Sequence, residues 1–137
     1  MPTDSVLVAV VDDEESVLKA LERLIRSAGF DVRAFSSGIE FLRSLQQRAP
    51  HCVVLDLHMP HLSGSLVQDA LKRSCWDIPV VIMTGDDSHE SRTQALGKGA
   101  TAYLRKPVDD VVLLDAIQSA LRANRAGDER QGSSQSA

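Results

Sequence analysis

Long hydrophobic runs are missing from this chain. No stretch approaches the roughly 18 continuous apolar residues of a membrane span, which excludes a bilayer-crossing helix. The opening residues Met1-Pro2-Thr3-Asp4-Ser5 have neither the basic start nor the apolar core of a secretion signal. Cysteine is scarce: Cys52 and Cys75 are the only two, too few for a disulfide framework. Cys52 lies inside an apolar run and reads as a small buried hydrophobe, and no Cys/His spacing supports zinc. A reduced, cytoplasmic setting follows. A basic excess is also absent, with 15 Lys and Arg against 19 Asp and Glu and a net charge of −4. That balance argues against direct binding to nucleic acid, which needs a concentrated basic face. Arg122, Arg125 and Arg130 come close together, but Asp128 and Glu129 interrupt them, so the region reads as a solvated helix end.

What is present is an ordinary globular composition, 43% hydrophobic and 25% charged over 137 residues, enough for one domain. Short apolar runs alternate with helical patterns. Val6 to Val11, Cys52 to Leu55 and Pro79 to Met83 are continuous runs, as in strands covered on both faces. Asp31 to Phe35 is shorter and more polar and reads as an edge strand, and Thr101 to Arg105 supplies a fifth. Between them, Val17, Leu18, Leu21, Leu24 and Ile25 recur at helical spacing and end at Gly29. Ser37 and Glu40 have the spacing of a capping box. A third helix centres on Leu66, Val67, Ala70 and Leu71, with Trp76 expected to pack under the loop that follows. A weakly amphipathic fourth runs from about Ser88 to Leu96, and a fifth buries Val112, Leu113, Ile117, Ala120 and Leu121. This alternation predicts an α/β fold: a doubly wound parallel sheet of five strands with five helices.

Right-handed crossovers place all C-terminal strand ends on one edge of such a sheet. Asp12, Asp13, Asp56, Thr84 and Lys106 all fall at those ends. Like charges about 4 Å apart cost roughly 4 kcal/mol at an effective dielectric of 20, so crowded acids need a cation, a shared proton or a chemical role. Each signal alone has a plainer reading. Asp12-Asp13 could cap the first helix, Thr84-Gly85 could be a turn, and Tyr103 could be a half-buried strand residue. His58 and His61 read singly as solvated loop histidines.

Together, Val11-Asp12-Asp13-Glu14, Asp56 with Met59-Pro60 and Ser63-Gly64, Thr84-Gly85, Tyr103 and Lys106-Pro107 resemble a response-regulator receiver domain over about Ser5 to Ala123. Ile78-Pro79-Val80 and Lys106-Pro107-Val108-Asp109 bring the wording closest to the FixJ-type subgroup. The resemblance implies a flavodoxin-like sheet of strand order 2-1-3-4-5. It implies that Asp56 accepts a phosphoryl group, that Asp13, Asp56 and the backbone carbonyl of His58 hold Mg²⁺ or Mn²⁺, and that Asp12 holds the ion through water. Lys106 would pair with Asp56, Thr84 with a phosphoryl oxygen, and Thr84 and Tyr103 would form the switch. Pro107 would follow a cis peptide bond. His58 and Asp86 stand where relatives tune phosphoryl lifetime, and His61 stands where many carry glycine.

The implied activity is a phosphorelay switch and not an enzyme, beyond catalysing its own phosphorylation and dephosphorylation. Its implied partners are a sensor histidine kinase or phosphotransfer protein, and a downstream protein met by the 88–123 face; a phosphorylation-dependent homodimer is compatible with that face. Residues 1–125 are expected to form the receiver and 126–137 a disordered polar tail. Relatives of this subgroup usually continue into a helix-turn-helix domain, so the rival reading is the receiver half of a DNA-binding regulator. An aspartate-nucleophile, Mg²⁺-dependent phosphatase is a further rival, but it would want an acid at position 58. A flavin-binding relative would want a glycine- and hydroxyl-rich first loop, which here is acidic.

Overall fold

The three continuous apolar runs are strands buried along their whole length: β1 (Leu7–Val11), β3 (Cys52–Asp56) and β4 (Val80–Thr84). In this computed structural model, which describes residues 5–85 and 88–136 with side chains through 123, they form the centre of one sheet. β2 (Asp31–Phe35) and β5 (Ala102–Arg105), the more polar strands, take its two edges. The order is β2-β1-β3-β4-β5 and every pairing is parallel, which is the flavodoxin-like arrangement the family resemblance implies.

The pleat sends alternate residues to opposite faces. Ala9, Val11, Val53, Leu55 and Ile82 face a layer that includes Phe41, Val67, Leu71 and Ala95, from α2 (Gly38–Ser44), α3 (Gly64–Arg73) and α4 (His89–Gly97). Val8, Val10, Val54, Val81 and Met83 face Leu18, Leu21 and Ile25 of α1 (Glu15–Ser27) and Leu113, Ile117 and Ala120 of α5 (Asp110–Ser136). Burial of one such aliphatic side chain contributes about 1.5–3 kcal/mol. α1 therefore has three strong anchors, whereas Ala95 is the one buried apolar residue of α4.

The structure corrects three readings of the pattern. Val112 is 48% exposed, because the buried stripe runs Leu113, Ile117, Ala120 and its predecessor lies about 100° around the helix. Trp76 is 39% exposed instead of tucked beneath the loop; positive φ at Cys75 (60°) ends α3 just before it, and the Trp76 N–H donates back to the Leu71 carbonyl at 3.0 Å. Ser37 caps α2 by accepting from the Glu40 N–H, but the Glu40 carboxylate accepts from the Ser36 hydroxyl, so the box is half formed. The backbone of α5 runs to Ser136, past the boundary expected at about 125, and the side chains of the expected tail, 126–137, lie outside the described residues.

Two backbone positions have consequences for stability. α1, α3 and α4 are each followed by a residue of positive φ, namely Gly29 (96°), Cys75 (60°) and Gly99 (97°). An L-residue in the left-handed region costs about 1–2 kcal/mol, so Cys75→Gly is expected to raise unfolding free energy by about 1 kcal/mol in urea titration. At Gly64 an added Cβ would lie against the Asp56 carbonyl oxygen and 2.8 Å from Leu57 Cα, both rigid backbone. Gly64→Ala is expected to cost about 2–3 kcal/mol in the same titration.

Candidate functional site

The chain leaves β1 toward β2 on one side of the sheet and returns to β3 on the other, so the switch point of the topology lies between β1 and β3. In that pairing Val11 is opposite Leu55, and the next positions along are Asp12 and Asp56. Asp56 pairs in turn with Met83, one residue before Thr84, and the Lys106 N–H donates to the Thr84 carbonyl at 2.8 Å. The ladder thus brings together at one edge the residues that the sequence scatters over 94 positions.

Asp12, Asp13 and Asp56 each place a carboxylate oxygen within 4.8 Å of the others. Asp12 and Asp56 are buried, and Asp13 is exposed at the mouth. Lys106, whose side chain is 18% exposed, donates to Asp12 Oδ2 at 2.7 Å and lies 3.5 Å from Asp56 Oδ2 and 3.7 Å from Glu14 Oε1. Its nearest partner is therefore Asp12, not Asp56. Asp12 also accepts from the Glu14 N–H at 2.9 Å, so it does contribute at the start of α1 as the plain reading held, with its other oxygen turned to the site. Asp56 Oδ1 accepts from the His58 N–H at 3.2 Å, which ties the loop after β3 to the carboxylate.

These surroundings divide the charges. Burial, then the Asp12 charge, push the Asp56 carboxyl up from its ordinary 3.8, against the pull of Lys106 and the His58 N–H. Burial would lower the Lys106 ammonium, but the hydrogen bond to Asp12 and the charges of Asp56, Asp12 and Glu14 outweigh it and raise the group. Three carboxylate oxygen donors with one open side match a small hard cation that keeps several waters, so the residues present fit Mg²⁺.

Thr84 is fully buried at the end of β4 and Tyr103 is buried in β5, its ring facing the α4 layer. The guanidinium of Arg92 lies over that ring, 5.8 Å from its centroid. The bond between Lys106 and Pro107 is cis. His61 adopts φ 70°, the conformation that favours glycine. His58 is exposed, and Asp86 lies outside the described residues. Burial pushes the Cys52 thiol up to about 12, which leaves it an inert core group. Sequence reading missed the Glu14 contact to Lys106 and the closeness of Gly64 to Asp56. The first was accessible in principle, since Glu14 opens the same loop; the second needs the tertiary path of α3.

Comparison with known proteins agrees with this geometry. Residues 8–118 match the family described as response regulator receiver domain. The chain is 36% identical over 116 residues to response regulator protein TodT of Pseudomonas putida, covering 85% of this chain and 51% of that protein. It is 38% identical over 128 residues to transcriptional regulatory protein TdiR of Thauera aromatica, covering 93% and 56%. The chain thus spans about half the length of these relatives. The solved structure of response regulator StyR superposes with a TM-score of 0.87 at 34% identity, over 96% of this chain and 67% of that one. The structure of FixJ-N superposes with a TM-score of 0.81 at 31% identity, over 88% and 96%.

The raised Asp56 carboxyl gives a prediction with a definite sign. Its folded-state value lies above its unfolded value, so ionisation costs stability as pH rises from about 3.8 through the raised value. In metal-free buffer, Asp56→Asn is expected to shift the urea midpoint upward at pH 7. The gain should shrink toward zero as pH falls below 3.8, measured by denaturation across pH.

Proposed function

This chain belongs to the response regulator receiver domain family, and from that premise we propose that it is a switch of two-component signalling that takes a phosphoryl group on Asp56. Response regulators receive their phosphoryl groups from histidine kinases; the donor proposed for this chain is a histidine kinase or a phosphotransfer protein. The observation that carries the reading is the state of Asp56, buried, with an ammonium 3.5 Å away and two further carboxylates beside it.

In the proposed reaction a carboxylate oxygen of Asp56 attacks the phosphorus of a phosphohistidine. The P–N bond breaks, its electron pair stays on the imidazole, and the imidazole takes up a proton. Little covalent assistance is required of the protein, whose contribution is position and charge. Asp13, Asp56 and the His58 carbonyl would hold Mg²⁺ directly and Asp12 through water, and the ion would supply positive charge at the carboxylate cluster. Lys106 stays anchored by Asp12 and turns toward a phosphoryl oxygen from its 3.5 Å standoff. The Thr84 hydroxyl donates to another phosphoryl oxygen, and Tyr103 follows the space that this opens. The signal leaves by the 88–123 face to a protein partner or a second copy. Residues 1–125 form the receiver unit in this reading.

A second reading is favoured by the relatives, one of them called a transcriptional regulatory protein and both about twice as long. In it, this receiver controls an attached output unit that binds DNA.

The direct test is incubation with acetyl phosphate and Mg²⁺ followed by intact-mass measurement. One phosphoryl adduct is expected on the unmodified chain and none on Asp56→Asn. Lys106→Met is expected to slow phosphorylation on the order of 10²–10³-fold, the usual loss when one preorganised charge-stabilising donor is removed. An adduct that survives Asp56→Asn removes the assignment. Mg²⁺ should also raise the thermal midpoint, by an amount corresponding to about 2.7 kcal/mol at a hundredfold excess over its dissociation constant, and Asp13→Ala should abolish that gain.

A further inference from the structure

α4 is gripped by α3 at one end. Its apolar grip is Ala95, and Leu96 beside it is 43% exposed. Its polar ties to α3 gather in its last turn. The Gln68 side-chain N–H donates to the Ala95 carbonyl at 3.1 Å. Lys98, the residue that closes the helix, donates to Ser65 Oγ at 2.5 Å and pairs with Asp69 at 3.1 Å. Toward its first turns α4 stands off from α3 across a half-open cavity of about 160 Å³, whose walls include Leu57, His58, Ser63, Gln68, Ser91 and Gln94. Among the described residues, the Oε1 atom of Gln68 is the one buried side-chain acceptor without a partner, although Gln68 is only 3% exposed.

α3 in turn is set by the loop that follows Asp56. Gly64, its first residue, lies against the Asp56 carbonyl oxygen, and the Gly64 N–H donates to the Leu57 carbonyl at 3.0 Å. One helical turn later comes Gln68. A shift at Asp56 therefore reaches Gln68 through rigid backbone, and Gln68 bears directly on α4.

We infer that Gln68 is a positioning residue, the pin on which α4 pivots when Asp56 is phosphorylated; the inference rests on the phosphoacceptor reading above. In the pivoted state the first turns of α4 close onto α3, the cavity shrinks, and Ser91 or Gln94 donates to Gln68 Oε1. The last turn stays in place, held by Gln68 and Lys98. The unpartnered acceptor is the physical reason a second packing competes with the first, since a buried lone acceptor is disfavoured until it finds a donor. Two discrete packings of one helix are what a population-shift switch needs.

The test uses the full chain with Cys75→Ser and pairs of spin labels at exposed sites, Lys72 with Glu90 and Lys72 with Leu96, each replaced by cysteine. With acetyl phosphate and Mg²⁺, the first distance is expected to shorten and the second to stay fixed. In Gln68→Met the adduct should form to the same extent by intact mass, while the change at Glu90 is at least halved or spreads equally to Leu96. Lys98→Met, which alters the pin from its outer side, should give the same redistribution and serves if Gln68→Met does not fold. A phosphorylated chain whose Glu90 label does not approach α3, or a Gln68→Met chain responding like the unmodified one, overturns the inference alone. Absence of an adduct in every form overturns the phosphoacceptor reading and this inference with it.

Discussion

Three carboxylates within 4.8 Å of one another, two of them buried, are the constraint on which the active edge depends. With all three ionised, one ammonium leaves the cluster two charges negative. Lys106 resolves part of that excess and does so unequally, at 2.7 Å from Asp12 and 3.5 Å from Asp56. Asp12 is the fixed counter-ion that keeps the lysine in place. Asp56 is left under-compensated, and burial together with the Asp12 charge pushes its carboxyl up. A divalent cation bound there would supply the missing positive charge.

The sheet makes this crowding affordable in structural terms. β1, β3 and β4 are buried along their lengths, and their register brings Asp12, one residue past β1, to the same sheet edge as Asp56 and Thr84. The helices differ in how they are held. α1 and α5 are anchored by rows of large apolar residues, while α4 relies on Ala95 and on polar contacts. Hydrogen bonds in partly exposed seams contribute about 1 kcal/mol each, far less than a row of leucines. The element nearest to Thr84 in sequence is thus also the one most easily re-packed, which is where an output surface belongs.

Much of this was legible in the sequence because the signals were strong in kind. Continuous apolar runs mark doubly covered strands, and acids just past those runs have no packing reason to be there. The convergence of Asp12, Asp13, Asp56 and Lys106 follows from that, whereas the strand order came from the family resemblance. Val112 misled because an apolar residue one step from a buried stripe looks the same in one dimension. Trp76 misled because a large aromatic beside a strand reads as buried, and its 39% exposure is set by tertiary surroundings. Gln68, Glu14 at Lys106 and the closeness of Gly64 to Asp56 are facts of tertiary approach. A glutamine on a helix shows its buried amide only when the facing helix is in place.

The central claim is that Asp56, and neither of the acids beside it, carries the phosphoryl group. Borohydride reduces an acyl phosphate to the alcohol and so converts a phosphorylated aspartate to homoserine. After phosphorylation in Mg²⁺ and reduction, peptide mapping is predicted to find homoserine at position 56 with Asp12 and Asp13 intact. Homoserine at position 12 or 13, or none in a chain that carries the adduct, would contradict the account.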